Sequence, residues 1–158
     1  MAIEIERKFL VKGDQWRTLG QGMLYRQGYI ATQNLTTVRV RLVGDQGYLT
    51  IKGKTESFSR VEYEYPIPGS DAQEMLETLC DRPLIEKTRY RIECKGLIWE
   101  VDEFIGENEG LIVAEVELTD ENQVLESPDW IGQEVTEDPN YYNANLVRHP
   151  FSQWSSDL

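Results

Sequence analysis

The residues able to do chemistry in this sequence stand in short runs in which charged and uncharged positions alternate. The first run lies at the N-terminus, where Glu4, Glu6 and Lys8 are spaced two residues apart. Successive side chains of a β-strand point to opposite faces, so this spacing places the three groups on one face. Later runs repeat the spacing and each keeps one sign of charge: Arg39 and Arg41; Lys52 and Lys54; Glu62 and Glu64; Lys87, Arg89 and Arg91; Glu100 and Asp102; Glu115 and Glu117.

The sorting of these charges by sign indicates a binding site. A single run is more often the water-facing side of a strand. A face that serves only solubility mixes signs, however, because like charges directly opposite each other repel. Arginine and lysine match phosphate oxygens, and crowded carboxylates need a hard divalent cation, Mg²⁺ or Mn²⁺, between them. The set of runs therefore favours a site for a phosphate compound and a metal.

Length and composition narrow the class of protein. The 158 residues suit one domain, covering residues 1–158. The net charge of -12 argues against general nucleic-acid binding, since binding to a phosphate backbone needs a positive surface. The sequence contains neither an apolar run of membrane-spanning length nor the apolar segment of a secretion signal, so we expect a cytoplasmic protein without a membrane partner. Both a monomer and a homodimer stay open.

The alternation also predicts the elements that must position the charges. Strands are expected at 2–11, 23–32, 37–43, 48–54, 60–67, 84–94, 97–105 and 111–119, with hairpin turns at 45–47 and 95–96. Ser70 and Gln73 form a capping-box pattern before an apolar helical stripe, and Asp138-Pro139 is typical of a helix start. Eight antiparallel strands can close and turn the charges inward. The predicted fold is mainly β (α+β): an eight-stranded antiparallel closed β-barrel with a few short flanking helices.

Two familiar catalytic arrangements are excluded by residue type. His149 is the only histidine, and its place between Arg148 and Pro150 is typical of a surface loop, so a Ser-His-Asp or Cys-His site is not expected. Gly53-Lys54-Thr55 ends like a phosphate-binding loop, but the first glycine of that motif would fall at Tyr48.

The ordered runs resemble the CYTH superfamily, the triphosphate tunnel metalloenzymes. Glu4-Ile5-Glu6-Arg7-Lys8 matches the Glu-x-Glu-x-Lys signature of that family, and the later runs follow in the same order. The tail from Trp130 to Asn143 is similar to that of the small single-domain bacterial members, which are inorganic triphosphatases. The resemblance implies a tunnel, a triphosphate-containing small molecule as substrate, and Mg²⁺ or Mn²⁺ as cofactor.

The resemblance also implies a role for each charged residue. The catalytic and phosphate-binding cations would be Lys8, Arg39, Arg41, Lys52, Lys87 and Arg89, and the metal ligands would be Glu4, Glu6, Glu62, Glu64, Asp102, Glu115 and Glu117. Lys54, Arg91 and Glu100 share the charged face by strand parity alone, and Arg148 lies after the last predicted helix, within reach of a tunnel mouth. The alternative for Lys54, Arg91 and Glu100 is a solvated rim, and the alternative for Arg148 is a lone surface arginine.

The reaction expected from this arrangement is metal-assisted hydrolysis of tripolyphosphate to diphosphate and phosphate. Thiamine triphosphatase and CYTH-type adenylate cyclase are the alternatives within the family. Both must seat an organic group, whereas Trp99, Tyr63 and Tyr90 fall on the face opposite the charges, which favours the inorganic substrate. A module that binds triphosphate without hydrolysing it is the alternative outside the enzymes, but such a module has no use for seven carboxylates.

Overall fold

A computed structural model describes residues 3–33, 35–56 and 59–157. Within these ranges the strands are β1 (Ile3–Val11), β2 (Gly22–Ile30), β3 (Thr37–Val43), β4 (Gln46–Lys52), β5 (Ser59–Pro68), β6 (Ile85–Cys94), β7 (Leu97–Ile105), β8 (Ile112–Glu117) and β9 (Ile131–Glu134). The α-helices are α1 (Gly69–Thr78) and α2 (Asn143–Arg148). Short 3-10 helices cover Gln15–Thr18, Gly106–Asn108, Pro139–Tyr141 and Phe151–Asp157. None of the described helices is long and apolar enough to cross a membrane.

Eight of the strands form a closed antiparallel barrel, as the sequence predicts. Their order is β5-β4-β3-β2-β6-β7-β8-β1, and β1 pairs back onto β5. Within the described ranges, the closing ladder joins Ile3–Ile5 of β1 to Ser59–Val61 of β5. Farther along β1, Phe9 and Val11 pair with β9 instead. The ninth strand was not predicted, and it supplies β1 with a partner beyond the part that pairs with β5.

The apolar core lies mostly outside the barrel wall, because the charged side chains occupy the inside. One cluster packs against the outer face of β1, β6, β7 and β8, and it includes Phe9, Trp16, Trp99 and Trp130. A second cluster lies under α1, where Ala72 and Leu76 contact Val40 of β3. The wall thus has a charged inner side and an apolar outer side.

A third apolar cluster lies at one end of the barrel. Ile85, Phe104 and Val113 share the strand parity of the inward charges, and they pack against Leu146 and Val147 of α2. The C-terminal helix therefore rests on an apolar layer at that end.

The hairpin between β3 and β4 turns at a different glycine from the predicted one. The sequence pattern favoured a turn at 45–47, but the turn is at Gly44 and Asp45, and Gly44 supplies the positive φ of 59°. Gly47 lies within β4, where a Cβ atom would stand 2.7 Å from the Cβ atom of Ala72. Gly47 is therefore required by the close approach of α1. The other predicted turn, Lys95-Gly96, is confirmed, and both of its residues have positive φ.

The predicted starts of the helices are partly wrong. Ser70 lies inside α1, whose first residue is Gly69, and no side chain caps its N-terminus. Asp138 does cap a helix, since its Oδ1 accepts a hydrogen bond of 3.0 Å from the backbone N–H of Asn140. That helix is only the 3-10 turn Pro139–Tyr141, and α2 begins separately at Asn143.

Candidate active site

A cavity of about 1050 Å³ occupies the interior of the barrel and is lined by the inward side chains. Most of the predicted site residues line it: Glu4, Glu6, Lys8, Arg39, Arg41, Lys52, Lys54, Glu62, Glu64, Lys87, Arg89, Glu115, Glu117 and Arg148, together with Glu100. Asp102 is buried in the wall beside Lys87 and Arg89. Arg91 is exposed and lies outside the cavity, so its strand parity was a poor guide to its position.

The charges are sorted around the wall as well as along the sequence. Lys52, Arg39 and Arg41 stand on the neighbouring strands β4 and β3, and Lys87 and Arg89 stand on β6, with β2 between. The carboxylates stand on β7, β8, β1 and β5, which complete the circle. Lys8 is the exception, because it lies on β1 opposite Glu115. A cationic arc therefore faces an acidic arc across one cavity.

Most cations of this arc are paired with a carboxylate. Lys52 Nζ lies 3.1 Å from Glu4 and 3.2 Å from Glu62. Arg39 Nη2 lies 3.5 Å from Glu64, and Lys8 Nζ, outside this arc, lies 3.4 Å from Glu115. Arg39 Nε is buried without a hydrogen-bond partner among the described residues, which leaves a donor for a ligand oxygen.

Asp102 is the centre of the tightest charge cluster. Its carboxylate accepts two hydrogen bonds from Arg89, at 2.7 and 2.8 Å, and lies 2.7 Å from Lys87 Nζ. Burial alone would raise the pKa of Asp102, but the charges of Arg89 and Lys87 outweigh it and hold the pKa below its ordinary value. Asp102 and Lys87 are each only 1% exposed, so the pair is screened from water.

Lys87 is held from several sides. Its ammonium group donates a 3.0 Å hydrogen bond to Asn143 Oδ1 and lies 5.5 Å from the ring centroid of Phe104. Burial lowers the pKa of Lys87 to about 7; the charge of Asp102 opposes this shift and those of Arg89 and Arg41 add to it. An anionic ligand would favour the charged form of this lysine.

Glu6, in the acidic arc, has no ion-pair partner among the described residues. Burial, followed by the charges of Glu115 and Glu4, raises the pKa of Glu6 to about 8. Burial and a hydrogen bond with Glu62 also raise the pKa of Glu4. This arc is thus crowded with negative charge that the lysines only partly neutralise.

The crowding predicts how pH changes the stability of the metal-free protein. Glu6 binds its proton more tightly when folded than when unfolded, since its pKa rises from 4.5 to about 8. The protonated Glu6 therefore contributes its full stabilisation below pH 4.5, and this stabilisation is lost as the pH rises to about 8. In a chelator, Glu6→Gln should exceed the wild type in free energy of unfolding by roughly 1–3 kcal/mol at about pH 8.

Urea denaturation of both proteins at about pH 5 and about pH 8 tests this. The comparison with the variant matters, because Lys87 titrates in the same range with the opposite sign: its lowered pKa makes stability rise with pH. A difference between variant and wild type that did not grow with pH would contradict the crowding of Glu6.

The carboxylates fit a hard divalent cation by donor type and by charge. All of them offer oxygen, and Glu4 and Glu115 stand close enough to Glu6 for their charges to oppose its ionisation. In the part of the chain that the structure describes, no group of three such side chains is already placed to hold a metal ion. Glu115 and Glu4 are paired with Lys8 and Lys52, so a metal ion bound by these carboxylates would displace the two ammonium groups.

Several residues with uncharged polar side chains also face the inside of the barrel, and the pattern of charges does not predict them. Tyr25, Gln27 and Tyr29 stand on β2 with inward parity, and Gln27 is fully buried. Tyr25, Tyr29, Tyr48 and Tyr142 line the cavity. Trp99 and Tyr90 do pack on the outer side, as predicted, but that prediction did not consider the four tyrosines that line the cavity. The spacing of two in Tyr25, Gln27 and Tyr29 was the signal available in the sequence.

The C-terminal segment completes the site on one side. Lys8 Nζ donates a 3.2 Å hydrogen bond to the backbone oxygen of Tyr141 and lies 5.6 Å from the ring centroid of Tyr142. Asn143 contacts Lys87 at the start of α2. Neutral oxygens of this segment thus contact two of the cations.

Comparison with known proteins agrees with this architecture. The CYTH domain profile matches residues 2–151. An inorganic triphosphatase of Acetivibrio thermocellus is 56% identical over 154 residues, covering 98% of this chain and 99% of that protein. One of Nitrosomonas europaea is 38% identical and covers 91% and 96%. A crystal structure of an inorganic triphosphatase superposes with a TM-score of 0.62 at 35% identity, covering 90% of this chain and 96% of the other.

Proposed function

Because the chain belongs to the CYTH domain family, we propose that it is a divalent-metal-dependent triphosphatase whose preferred substrate is inorganic tripolyphosphate. The observation that carries the proposal is the single cavity in which a cationic arc faces an acidic arc. Two bacterial relatives that align over nearly the full length are inorganic triphosphatases, and they support the same reaction.

The cations of β3, β4 and β6 would bind the chain of phosphates. Arg39, Arg41 and Lys52 approach from one side and Lys87 and Arg89 from the other, so a linear anion between them meets donors along its length. Phosphoryl transfer places its growing charge on the oxygens of the leaving group and of the transferred phosphoryl group. Side chains that are already fixed by ion pairs stabilise that charge without reorganising.

The acidic arc would hold the metal. Glu6, Glu4 and Glu115 are its proposed ligands, with Glu62, Glu64, Asp102 and Glu117 as further candidates, and Mg²⁺ or Mn²⁺ matches their oxygen donors. When bound, such an ion supplies an activated water and neutralises phosphate oxygens. In the reaction a water oxygen bonds to the terminal phosphorus, the phosphoanhydride bond breaks, and diphosphate leaves. Lys8, which lies between Glu115 and the C-terminal segment, would bind a phosphate oxygen next to these carboxylates.

A second candidate is hydrolysis of an organic triphosphate. Four tyrosines line a cavity of about 1050 Å³, which leaves room beside the phosphates for a base or a thiazolium ring. Thiamine triphosphate and nucleoside triphosphates are therefore the compounds to compare with tripolyphosphate. The protein is proposed to act without nucleic-acid or membrane partners.

Release of phosphate from tripolyphosphate, ATP and thiamine triphosphate tests the proposal. We expect the highest kcat/KM for tripolyphosphate with Mg²⁺ or Mn²⁺ and no release in the presence of a chelator. The Arg41→Ala variant, purified in the same way, controls for contaminating phosphatases. Failure of all three compounds with every metal would leave a binding module, and a preference for thiamine triphosphate would favour the second candidate.

A further inference from the structure

Arg41 differs in its surroundings from the five other cations that are proposed to bind the phosphates. Lys8, Arg39, Lys52, Lys87 and Arg89 each have a carboxylate within 3.5 Å. Arg41 pairs with no carboxylate among the residues that the structure describes, although it lines the same cavity. Its two terminal nitrogens, Nη1 and Nη2, also donate no hydrogen bond to any described residue. The guanidinium group therefore keeps both arms of its fork for a ligand.

Two neutral side chains of β2 hold this guanidinium group. Gln27 is the cross-strand partner of Arg41, and its Oε1 accepts a 2.9 Å hydrogen bond from Arg41 Nε. The orientation of the Gln27 amide is fixed because its Nε2 donates to Tyr29 Oη at 3.0 Å and to Asn143 Oδ1 at 3.2 Å. The oxygen of this fully buried amide must therefore point to Arg41.

Tyr25 separates Arg41 from Arg89. The Cζ atoms of both arginines lie 4.9 Å from the centroid of its ring. This placement follows from the strand order, since β2 lies between β3 and β6. The electron-rich face of an aromatic ring attracts a guanidinium group, so the ring stabilises two like charges that would otherwise repel each other.

The charge of Arg41 survives in this environment. Burial, followed by the charges of Arg39 and Arg89, lowers the pKa of Arg41 to about 10. The guanidinium group is still protonated at neutral pH. A carboxylate beside Arg41 would have offset the cost of burying the guanidinium group, but it would also have competed with a phosphate for the same donors.

We propose that Tyr25 and Gln27 are positioning residues that keep Arg41 charged, oriented and unpaired, so that its fork binds a phosphate group of the substrate. The inference rests on the proposed function, since it takes a triphosphate as the ligand. It assigns β2, the strand without inward charge, the task of setting the strength of phosphate binding.

Binding of tripolyphosphate to the metal-free protein, measured by calorimetry in a chelator, tests this without turnover. Tyr25→Leu should weaken Kd by about tenfold, whereas the matched control Tyr25→Phe keeps the ring and should stay within about twofold of the wild type. In an Arg41→Ala background, Tyr25→Leu should change Kd by less than about twofold, because the two residues act as a unit. Thermal melting of each variant shows whether it is folded.

Gln27→Glu gives an independent test that preserves the shape of the side chain. Glutamate still accepts from Arg41 Nε, but it neutralises the guanidinium group, so we expect tripolyphosphate to bind about tenfold more weakly. In turnover the same variant should raise KM by a similar factor while kcat changes less. If Tyr25→Leu does not fold, this variant decides alone.

The positioning role is overturned if the wild type binds tripolyphosphate and Tyr25→Leu binds it as well as Tyr25→Phe does. It is also overturned if Tyr25→Leu weakens binding equally with and without Arg41, or if Gln27→Glu leaves Kd unchanged. A wild type that binds but hydrolyses nothing would refute the proposed activity and leave the positioning role standing. A wild type that does not bind tripolyphosphate in the chelator refutes the positioning role, whereas the proposed activity is decided by phosphate release in the presence of metal.

Discussion

Arg41→Ala should lower kcat/KM for tripolyphosphate by about 100- to 1000-fold, the usual effect of removing one fixed donor from a phosphate or oxyanion site. The effect is large because no other described residue uses the Nη1 and Nη2 atoms of Arg41, so they are available to the substrate. Arg39 and Arg89 are already shared with carboxylates and cannot replace them fully. Steady-state kinetics with saturating metal measures the change.

Arg26→Ala is the matched control for this variant. Arg26 stands on the outer face of β2, one strand from Arg41, and contacts Glu86 at 3.8 Å and Gln73 of α1 at 3.2 Å. Its removal takes away the same charge without touching the cavity, so kcat/KM should stay within about twofold. Equal losses in the two variants would mean that Arg41 acts through net charge alone and not through contact with the substrate.

Asp102→Asn should lower the free energy of unfolding by about 3–5 kcal/mol, because it leaves buried positive charge without its counter-ion. Asp102 is the only described carboxylate that pairs with Lys87, and it accepts hydrogen bonds from Nε and Nη2 of Arg89. Asparagine keeps the shape of the side chain and removes the charge. Urea denaturation in a chelator at neutral pH measures the loss, since metal binding would otherwise contribute to stability.

Glu103→Gln isolates the effect of burial. Glu103 is the next residue on β7, and it forms hydrogen bonds of 2.7 and 2.9 Å with Arg17 on the outer side of the barrel. This pair is partly exposed, and its loss should cost less than about 1 kcal/mol. A loss below about 1 kcal/mol in Asp102→Asn as well would show that the cluster around it is tolerant of unpaired charge.

The alternation of charge predicted the barrel and the inner face because both depend on a local rule, the two-residue period of a strand. The same rule cannot predict how far along the barrel a residue lies. Arg89 and Arg91 have equal parity on β6, yet Arg91 is exposed and does not line the cavity, although its cross-strand partner Glu100 does. Position along a barrel depends on the stagger of its strands, and no sequence pattern in one strand contains that stagger.

Contacts between distant elements explain the remaining differences. Gly47 resembles a turn residue in the sequence, but its lack of a side chain is needed where α1 crosses β4. The four residues of β9 form a strand because β1 offers them a free edge, which their own sequence does not reveal. Gln27 has no charge, so the pattern of charges did not mark it, although its buried amide joins Arg41 to Asn143 at the start of α2.

The ladder between β1 and β5 contains one of the acidic residues of the cavity. Glu4 lies in the middle of that ladder, opposite Arg60, and it also meets Lys52 and Glu62. Lys52 of β4 contacts both carboxylates, and Arg60 of β5 also pairs with Glu4, so these contacts reinforce the ladder. A ligand that draws Glu4 away from Lys52 and Arg60 would therefore act on the closure of the barrel as well as on the site.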